Sequence, residues 1–258
     1  MPVACWSPRG RCTHRYAHNN MDTKNSTTPL AIVSGGTGYL GTVIVAELAA
    51  AGWDVVSLSR NTSDASAGVY TCDITDERAV HTTLAEIVAT RGPISACIHA
   101  ASPLLERIPI LSVSTSAFDS AMDTAVRGAF LLAKETAQHR LSNAAFIGIT
   151  TQAIEPGVVQ PFGAYIPAKY ALRGLLRALS AEGEQGGLRV YAVAPGFLPG
   201  GLNDDLPKQM QDFFARKSGT NAESPQEIAA LVRKLCAGDS EFPPGSSIAF
   251  PSLVATPL

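Results

Sequence analysis

From Leu30 onward the chain alternates short apolar runs with longer stretches of helical period, and this alternation limits the fold more than any other feature. The runs are "LAIVS", "DVVSLS", "GVYTC", "ISACIHA", "AAFIGIT", "LRVYAVA" and "SSIAF". They lack the polar alternation of a strand with one wet face, so each is expected to be buried on both sides. Helical patterns lie between them: from about Gly38, over Glu77 to Thr90, over Phe118 to His139, from Tyr165, and near Pro225 to Ala237. Doubly covered strands joined through helices predict an α/β fold, a doubly wound parallel sheet of about seven strands. A single domain is expected over residues 29–258, with no repeat, no linker after Pro29 and no room for a separate substrate domain.

Composition narrows the partners. A 258-residue chain with 46% hydrophobic content can bury a large core. Its formal charge of −2 offers no basic field for nucleic acid, and no apolar run is long enough for a bilayer. The expectation is a soluble, cytoplasmic protein with a small-molecule ligand and no membrane or nucleic-acid partner. The five cysteines, Cys5, Cys12, Cys72, Cys97 and Cys236, are odd in number and scattered, as suits reduced thiols. Residues 1–28 have neither an apolar core nor an amphipathic period and are read as a disordered, dispensable extension, with Met21 an alternative start. Within it Cys5, Cys12, His14 and His18 match no familiar zinc spacing, so no metal is expected.

Chemistry concentrates at the strand ends. "AIVSGGTGYLGTVIVAEL" runs strand, glycine-rich turn, helix, with Gly35, Gly38 and Gly41 spaced G-x-x-G-x-x-G. Glycine lets the backbone approach a pyrophosphate, and the helix N-terminus supplies N–H groups and partial positive charge. Thr37, Tyr39 and Leu40 share that turn and are counted with it as dinucleotide contacts. The second strand ends "VVSLSRN", placing Ser59 and Arg60 where a carboxylate would accept from an adenosine 2′-hydroxyl. An arginine there attracts a 2′-phosphate instead, and the next carboxylate along the chain is Asp64. "CDIT" puts Asp73, with Ile74 beside it, in reach of an adenine amino group, or else makes Asp73 a strand-end cap. In "GAYIPAKYAL", Tyr165 and Lys169 are four apart and share a helix face, and Pro167 fits only if the helix begins there.

In this order, together with "HAAS", "ITT", "VAPGF" and "SPQEIA", these segments resemble the short-chain dehydrogenase/reductase family over about residues 30–250, in its short single-domain branch with a Rossmann-like sheet. The resemblance implies that Tyr165 protonates a carbonyl oxygen in reduction or acts as base in oxidation. It implies that Lys169 binds the nicotinamide ribose and lowers the Tyr165 pKa; moving a phenol from near 10 to about 7 takes roughly 4 kcal/mol. Thr151 aligns best with the serine most relatives carry, Thr150 being the other candidate or both being plain strand residues. Ala100 and Ala101 are implied to border the cofactor, and Pro195, Gly196 and Leu198 its nicotinamide. The implied activity is NADP(H)-dependent interconversion of a ketone or aldehyde and an alcohol, with NADP(H) preferred over NAD(H). A homodimer or homotetramer is implied through the helices over Phe118 to His139 and Tyr165 to Glu184, where Ala168, Leu172, Leu175, Leu176 and Leu179 supply apolar surface.

Three positions depart from the family pattern. Ala125 in "TAVRGAF" replaces an asparagine that helps hold a water behind the lysine. His99 to Ser102 replaces "NNAG", with His99 read as a buried, hydrogen-bonded residue. Gly200 replaces a threonine after "PG" that clamps the nicotinamide carboxamide. Residues 198–219 are expected to form a mobile lid, with Leu202, Leu206, Met210 and Phe213 facing substrate or packing on the sheet. Two rivals remain open: a sugar-nucleotide epimerase or dehydratase, which shares the glycine spacing, and a dinucleotide-sensing binding protein that has lost turnover.

Overall fold

The computed structural model describes residues 28–61, 64, 67–155, 161–217 and 224–258. The extension expected over residues 1–28 therefore lies almost wholly outside the described residues.

The chain runs β1 (Leu30–Ser34), α1 (Tyr39–Ala50), β2 (Asp54–Ser59), β3 (Val69–Thr71), α2 (Glu77–Arg91) and β4 (Ile94–His99). It continues with α3 (Thr115–Met122), a π-helical turn (Asp123–Arg127), α4 (Gly128–His139), β5 (Arg140–Ile149), α5 (Tyr165–Gly186) and β6 (Arg189–Pro195). α6 (Lys208–Lys217), α7 (Pro225–Ala237), β7 (Ser246–Phe250) and β8 (Val254–Pro257) complete it. The strands form one sheet in the order β3-β2-β1-β4-β5-β6-β7-β8. All neighbours are parallel except β7 and β8. The sequence reading of about seven parallel strands thus gains an antiparallel eighth, whose four residues VATP are exposed throughout.

Both faces of the sheet are covered, as the uninterrupted apolar runs require. Ala31, Val33, Ala96, Ile98 and Ile147 point into a core shared with Ile44 and Leu48 of α1 and Ile228, Val232 and Leu235 of α7. Leu30, Ile32, Cys97 and Phe146 point the other way, onto Val80 and Leu84 of α2, Leu132 of α4 and Leu172 and Leu176 of α5. Alternate residues of one strand therefore feed opposite cores. Cys72, Cys97 and Cys236 are buried free thiols.

One helical reading is corrected by the structure and another is met. The run from Phe118 to His139 is interrupted by the π turn, so α3 and α4 are separate segments. α5 begins at Tyr165, which places Pro167 in its first turn where its missing N–H costs nothing. Of the apolar residues on α5, Ala168, Leu172 and Leu176 are fully buried and Leu175 and Leu179 pack partly on the same core. That apolar face serves the chain's own sheet; among the described residues of α4 and α5, Phe130 and Tyr170 are the large apolar or aromatic side chains left exposed.

Candidate active site

The order β3-β2-β1-β4 reverses direction at β1, and a cleft opens at the carboxyl ends of the strands around that point. Its volume is about 790 Å³. The glycine turn, the ends of β2 and β3, the loop after β4, the end of β5, the start of α5 and the loop after β6 line it together. Every residue that the sequence assigned to catalysis or to the cofactor lies on this one surface.

The floor is the turn from β1 into α1. Gly35 has φ +72°, and a Cβ there would come within 2.7 Å of the Ala101 backbone. A Cβ on Gly41 would lie 2.0 Å from the Gly35 carbonyl oxygen. Small residues in "HAAS" and glycines in the turn are thus two sides of one close backbone approach. α1 starts with Gly38 as its cap, without a capping side chain and with no acid in its first turn. Its first N–H groups therefore face the cleft beside Thr37, Tyr39 and Leu40, a cradle suited to a pyrophosphate.

At the end of β2, Ser59 is half-buried and Arg60 exposed, with Thr37 Oγ1 donating to Ser59 Oγ at 3.4 Å. Asp73 holds the neighbouring strand end: its Oδ1 accepts from the Thr75 backbone at 2.9 Å and from the Thr75 hydroxyl at 2.8 Å. These bonds, with the Arg60 charge adding, hold its carboxyl below the usual range. Asp73 is therefore a turn-forming residue as well as a cleft residue, and it is an acid that acts on Arg60. Chain distance alone pointed to Asp64 as the nearest. Ile74 is buried and wedges against α4, where a Cβ on Gly128 would meet it at 2.7 Å.

Tyr165 and Lys169 meet at the centre. The Lys169 Nζ lies 5.6 Å from the Tyr165 ring centroid and donates to the Ile149 carbonyl at 2.8 Å. Lys169 is only 2% exposed, and burial pushes its pKa down to about 7. Burial also drives the Tyr165 phenol up to about 12, against which the hydroxyls of Thr151 and Ser102 act. The sequence reading had the phenol lowered; in this fold removal from water dominates and the proton is held more tightly. Thr151 Oγ1 accepts from the Ala153 backbone at 3.1 Å, while the Thr150 hydroxyl donates to the Val193 carbonyl at 3.2 Å. Thr150 is thus engaged within the sheet, and Thr151 is the threonine turned to Tyr165. Ser102, part of "HAAS" in the sequence, has its Oγ buried on the Tyr165 side of the cleft, where it acts on the phenol.

Behind this group sits His99, fully buried, its Nδ1 2.9 Å from Ser34 Oγ. Burial pushes its pKa down to about 3, the Lys169 charge adds to the shift, and the backbone of Ala125 and Thr124 opposes it. Ala125 lies inside the π turn. A one-residue widening of the helix delivers backbone to His99 there, where the family pattern has an asparagine side chain.

The remaining wall consists of two loops. Arg107, in the loop after β4, donates through Nη1 to both carboxylate oxygens of Asp205 at 2.8 Å. Its Nη2 donates to Asn203 Oδ1 at 2.7 Å and to the Leu202 carbonyl at 3.3 Å. Nothing in the local sequence announces a bond across 98 residues. On the other side the Tyr39 hydroxyl donates to the Pro199 carbonyl. Gly200 and Gly201, at φ +105° and +61°, lie against the Tyr39 side chain, where a Cβ would come within 2.8 Å of its ring and 2.7 Å of its Cβ, respectively. The glycine at position 200 follows from that packing. Of the four apolar lid residues, Leu202 lines the cleft and Leu206 is buried away from its lining. Met210 is exposed and does not line it, and the side chain of Phe213 lies outside the described residues.

Among the described residues no group of three or more His, Cys, Asp or Glu is placed to hold a metal ion. No described helix is long and apolar enough to cross a membrane.

Comparison with known proteins agrees with this arrangement. The model of a family described as enoyl-(acyl carrier protein) reductase matches residues 39–250. The 2,5-dichloro-2,5-cyclohexadiene-1,4-diol dehydrogenase of Sphingobium indicum is 30% identical over 176 residues, covering 64% of this chain and 70% of its own. A short-chain dehydrogenase/reductase of Hericium erinaceus is 27% identical over 86% of this chain and 96% of its own. Among solved structures, the aldohexose dehydrogenase of Thermoplasma acidophilum superposes with a TM-score of 0.78 at 20% identity, covering 90% of this chain and 98% of its own, which speaks to the fold. The chain belongs to the short-chain dehydrogenase/reductase family, oxidoreductases that work on small molecules with an NAD(P)-type nucleotide.

Proposed function

We propose that this protein interconverts a ketone or aldehyde and an alcohol with NADP(H) in preference to NAD(H), and that Tyr165 is its acid and base. The observation that carries the reading is the convergence of Tyr165, Thr151, Ser102 and Lys169 at the centre of a cleft whose floor is a glycine-rich helix start. In reduction the carbonyl carbon gains a C–H bond as the bound dinucleotide is oxidised, and the oxygen gains its proton from the protein.

The protein's share is proton handling and placement. Burial keeps the Tyr165 phenol protonated at neutral pH, so it donates to the substrate oxygen in reduction and recovers the proton in oxidation. Thr151, whose oxygen is held by the Ala153 N–H, keeps its hydroxyl proton for the same oxygen. Lys169, pinned to the Ile149 carbonyl, has two further N–H donors for ribose hydroxyls. Acceptors brought against it favour its charged form, and that charge eases ionisation of the phenol. The α1 N-terminus would hold the pyrophosphate, and Asp73, Ile74, Ala100 and Ala101 would flank the adenosine and the chain leading to Pro195, Gly196 and Leu198. Ser59 and Arg60 would meet a 2′-phosphate; Asp73 shares the Arg60 charge, so the preference for NADPH is put at about tenfold.

The same reading proposes a cytoplasmic homodimer or homotetramer. The shallow groove of Met122, Val126, Phe130 and Leu175, with Asp123 and Arg127 also lining it, supports the surface, on the α3–α4 and α5 side. The test is turnover of a panel of neutral carbonyl compounds with each nucleotide, followed by nucleotide fluorescence. Faster consumption of NADPH than of NADH is expected. Tight nucleotide binding with no turnover of any compound would favour the binding-protein alternative.

A further inference from the structure

The substrate end of the cleft differs in chemistry from its nucleotide end. Three formally charged side chains line the cleft among the described residues: Arg60, Asp73 and Lys169. The first two stand at the ends of β2 and β3, and Lys169 is buried behind Tyr165 with its ammonium on the Ile149 carbonyl. Beyond Tyr165 the lining side chains are Leu105, Phe162, Phe197 and Leu202, with two amides, Gln152 and Asn203.

Both amides are anchored within the protein, with part of their hydrogen-bonding capacity still open. Gln152 Nε2 donates to the Phe250 carbonyl. Asn203 Nδ2 donates to the Leu198 carbonyl at 2.8 Å, and its Oδ1 accepts from Arg107 at 2.7 Å. Arg107, in the loop that carries Leu105, is held by Asp205 and does not line the cleft. Among the described residues the polarity offered to a substrate here is uncharged, and it centres on the hydroxyls of Tyr165, Thr151 and Ser102, with the Thr124 hydroxyl also in the lining.

Such a surface suits an uncharged ligand that sets an oxygen function against the hydroxyls and an apolar body against Leu105, Phe162, Phe197 and Leu202. An ionised group anywhere else along this wall would leave water without a counter-charge, which costs several kcal/mol per charge. The rim adds a second restriction. Glu106 beside Leu105, and Asp204 and Asp205 beside Asn203, are exposed carboxylates; among the described residues of these loops the cations are Arg107, paired with Asp205, and Lys208. An acidic carrier protein or a polyphosphate handle would meet like charge at this mouth.

We infer that the substrate is an uncharged ketone, or the matching secondary alcohol, with an apolar body, taken up as a free molecule and not on an acidic carrier. This rests on the oxidoreductase reading above for the identity of the oxygen function. The oxygen meets Tyr165, Thr151 and Ser102, and the body lies against Leu105, Phe162, Phe197 and Leu202.

The experiment uses three probes on the full chain saturated with nucleotide: 4-isopropylacetophenone, its isosteric carboxylate 4-acetylbenzoate, and an acetoacetyl group on an acyl carrier protein. Binding is read by ligand-observed NMR for the two small ketones and by pull-down for the carrier, and turnover by NADPH consumption. The neutral ketone is expected to bind about a hundredfold more tightly than the carboxylate, with the carrier-bound group ignored. Neutral-ketone binding without turnover would leave the inference standing and overturn the oxidoreductase reading. Equal or better use of the carboxylate or the carrier-bound group would overturn the inference and leave the oxidoreductase reading intact. Failure of the neutral ketone to bind at millimolar concentration would overturn it as well.

Discussion

The two ends of the cleft are built by different means. The nucleotide end consists of backbone and of side chains within a few residues of strand ends: the turn at Gly35 to Gly41, Ser59 and Arg60, and Asp73 on Thr75. The substrate end is made by two loops that meet across long chain distances, fastened by Arg107 on Asp205 and Asn203. Short-range construction tolerates little change, because a misplaced Cβ meets backbone. Long-range construction from side chains can be altered one contact at a time without touching the sheet. The teaching of the contrast is that nucleotide affinity and substrate choice should be separable by mutation.

The contrast is tested most harshly at the glycine turn. Gly41→Ala places a Cβ 2.0 Å from the Gly35 carbonyl and should weaken nucleotide binding by about a hundredfold. Gly38→Ala, whose Cβ would meet only that oxygen at 3.2 Å, should weaken it far less. Isothermal titration of both variants checks the order, and equal losses would mean that the turn is not held by this approach.

His99 lies beneath both ends, and its sign can be worked out. Its folded pKa of about 3 is below the usual 6.5, so between these values the unfolded chain binds a proton that the fold refuses. The contribution is fully present above pH 6.5 and is lost as pH falls toward 3, by about 1.4 kcal/mol per unit. Lys169, lowered to about 7, titrates above this window. Urea denaturation at pH 7 and pH 5 should show a loss about 2 kcal/mol greater in wild type than in His99→Asn. Equal losses would show that His99 takes up its proton in the folded state.

The nucleotide end is sharpened by Ser59→Asp with Arg60→Ala, which should reverse a preference for NADPH of about tenfold while leaving kcat for the favoured nucleotide within a few-fold. A wild type with no preference would mean that Arg60 does not reach the ribose. The smallest effect is expected at the other end: Arg107→Ala should raise KM for the carbonyl compound about fivefold and leave nucleotide affinity unchanged. A matching loss of nucleotide affinity would deny that the two ends are separable.

What the sequence disclosed follows the same division. The parallel sheet and the gathering of residues from Gly35 to Leu198 at its strand ends were legible because each rests on local pattern: doubly buried runs, glycine spacing, and Pro167 at a helix start; the start of β5 at Arg140 was not, because its first four residues are partly or fully exposed. β8 escaped because four exposed residues carry no burial signal. The π turn at Asp123–Arg127 escaped because one extra residue per turn hardly disturbs an apolar period. Arg107 and Asp205 reveal nothing until folding joins them, and the Asp73–Arg60 proximity is of the same kind. The direction of the Tyr165 shift was misread because spacing shows that Lys169 can approach, whereas only the fold shows how completely both are removed from water.

The central claim is that Tyr165 moves the proton in a cleft whose nucleotide end is independent of it. Tyr165→Phe removes one hydroxyl and leaves Lys169 on the Ile149 carbonyl and the glycine turn untouched. NADPH titration and carbonyl turnover should therefore be measured on the same preparation. The expected result is an unchanged dissociation constant with turnover reduced by at least about a hundredfold. Turnover above about a tenth of wild type, at unchanged nucleotide affinity, would mean that another group supplies the proton and would contradict the account.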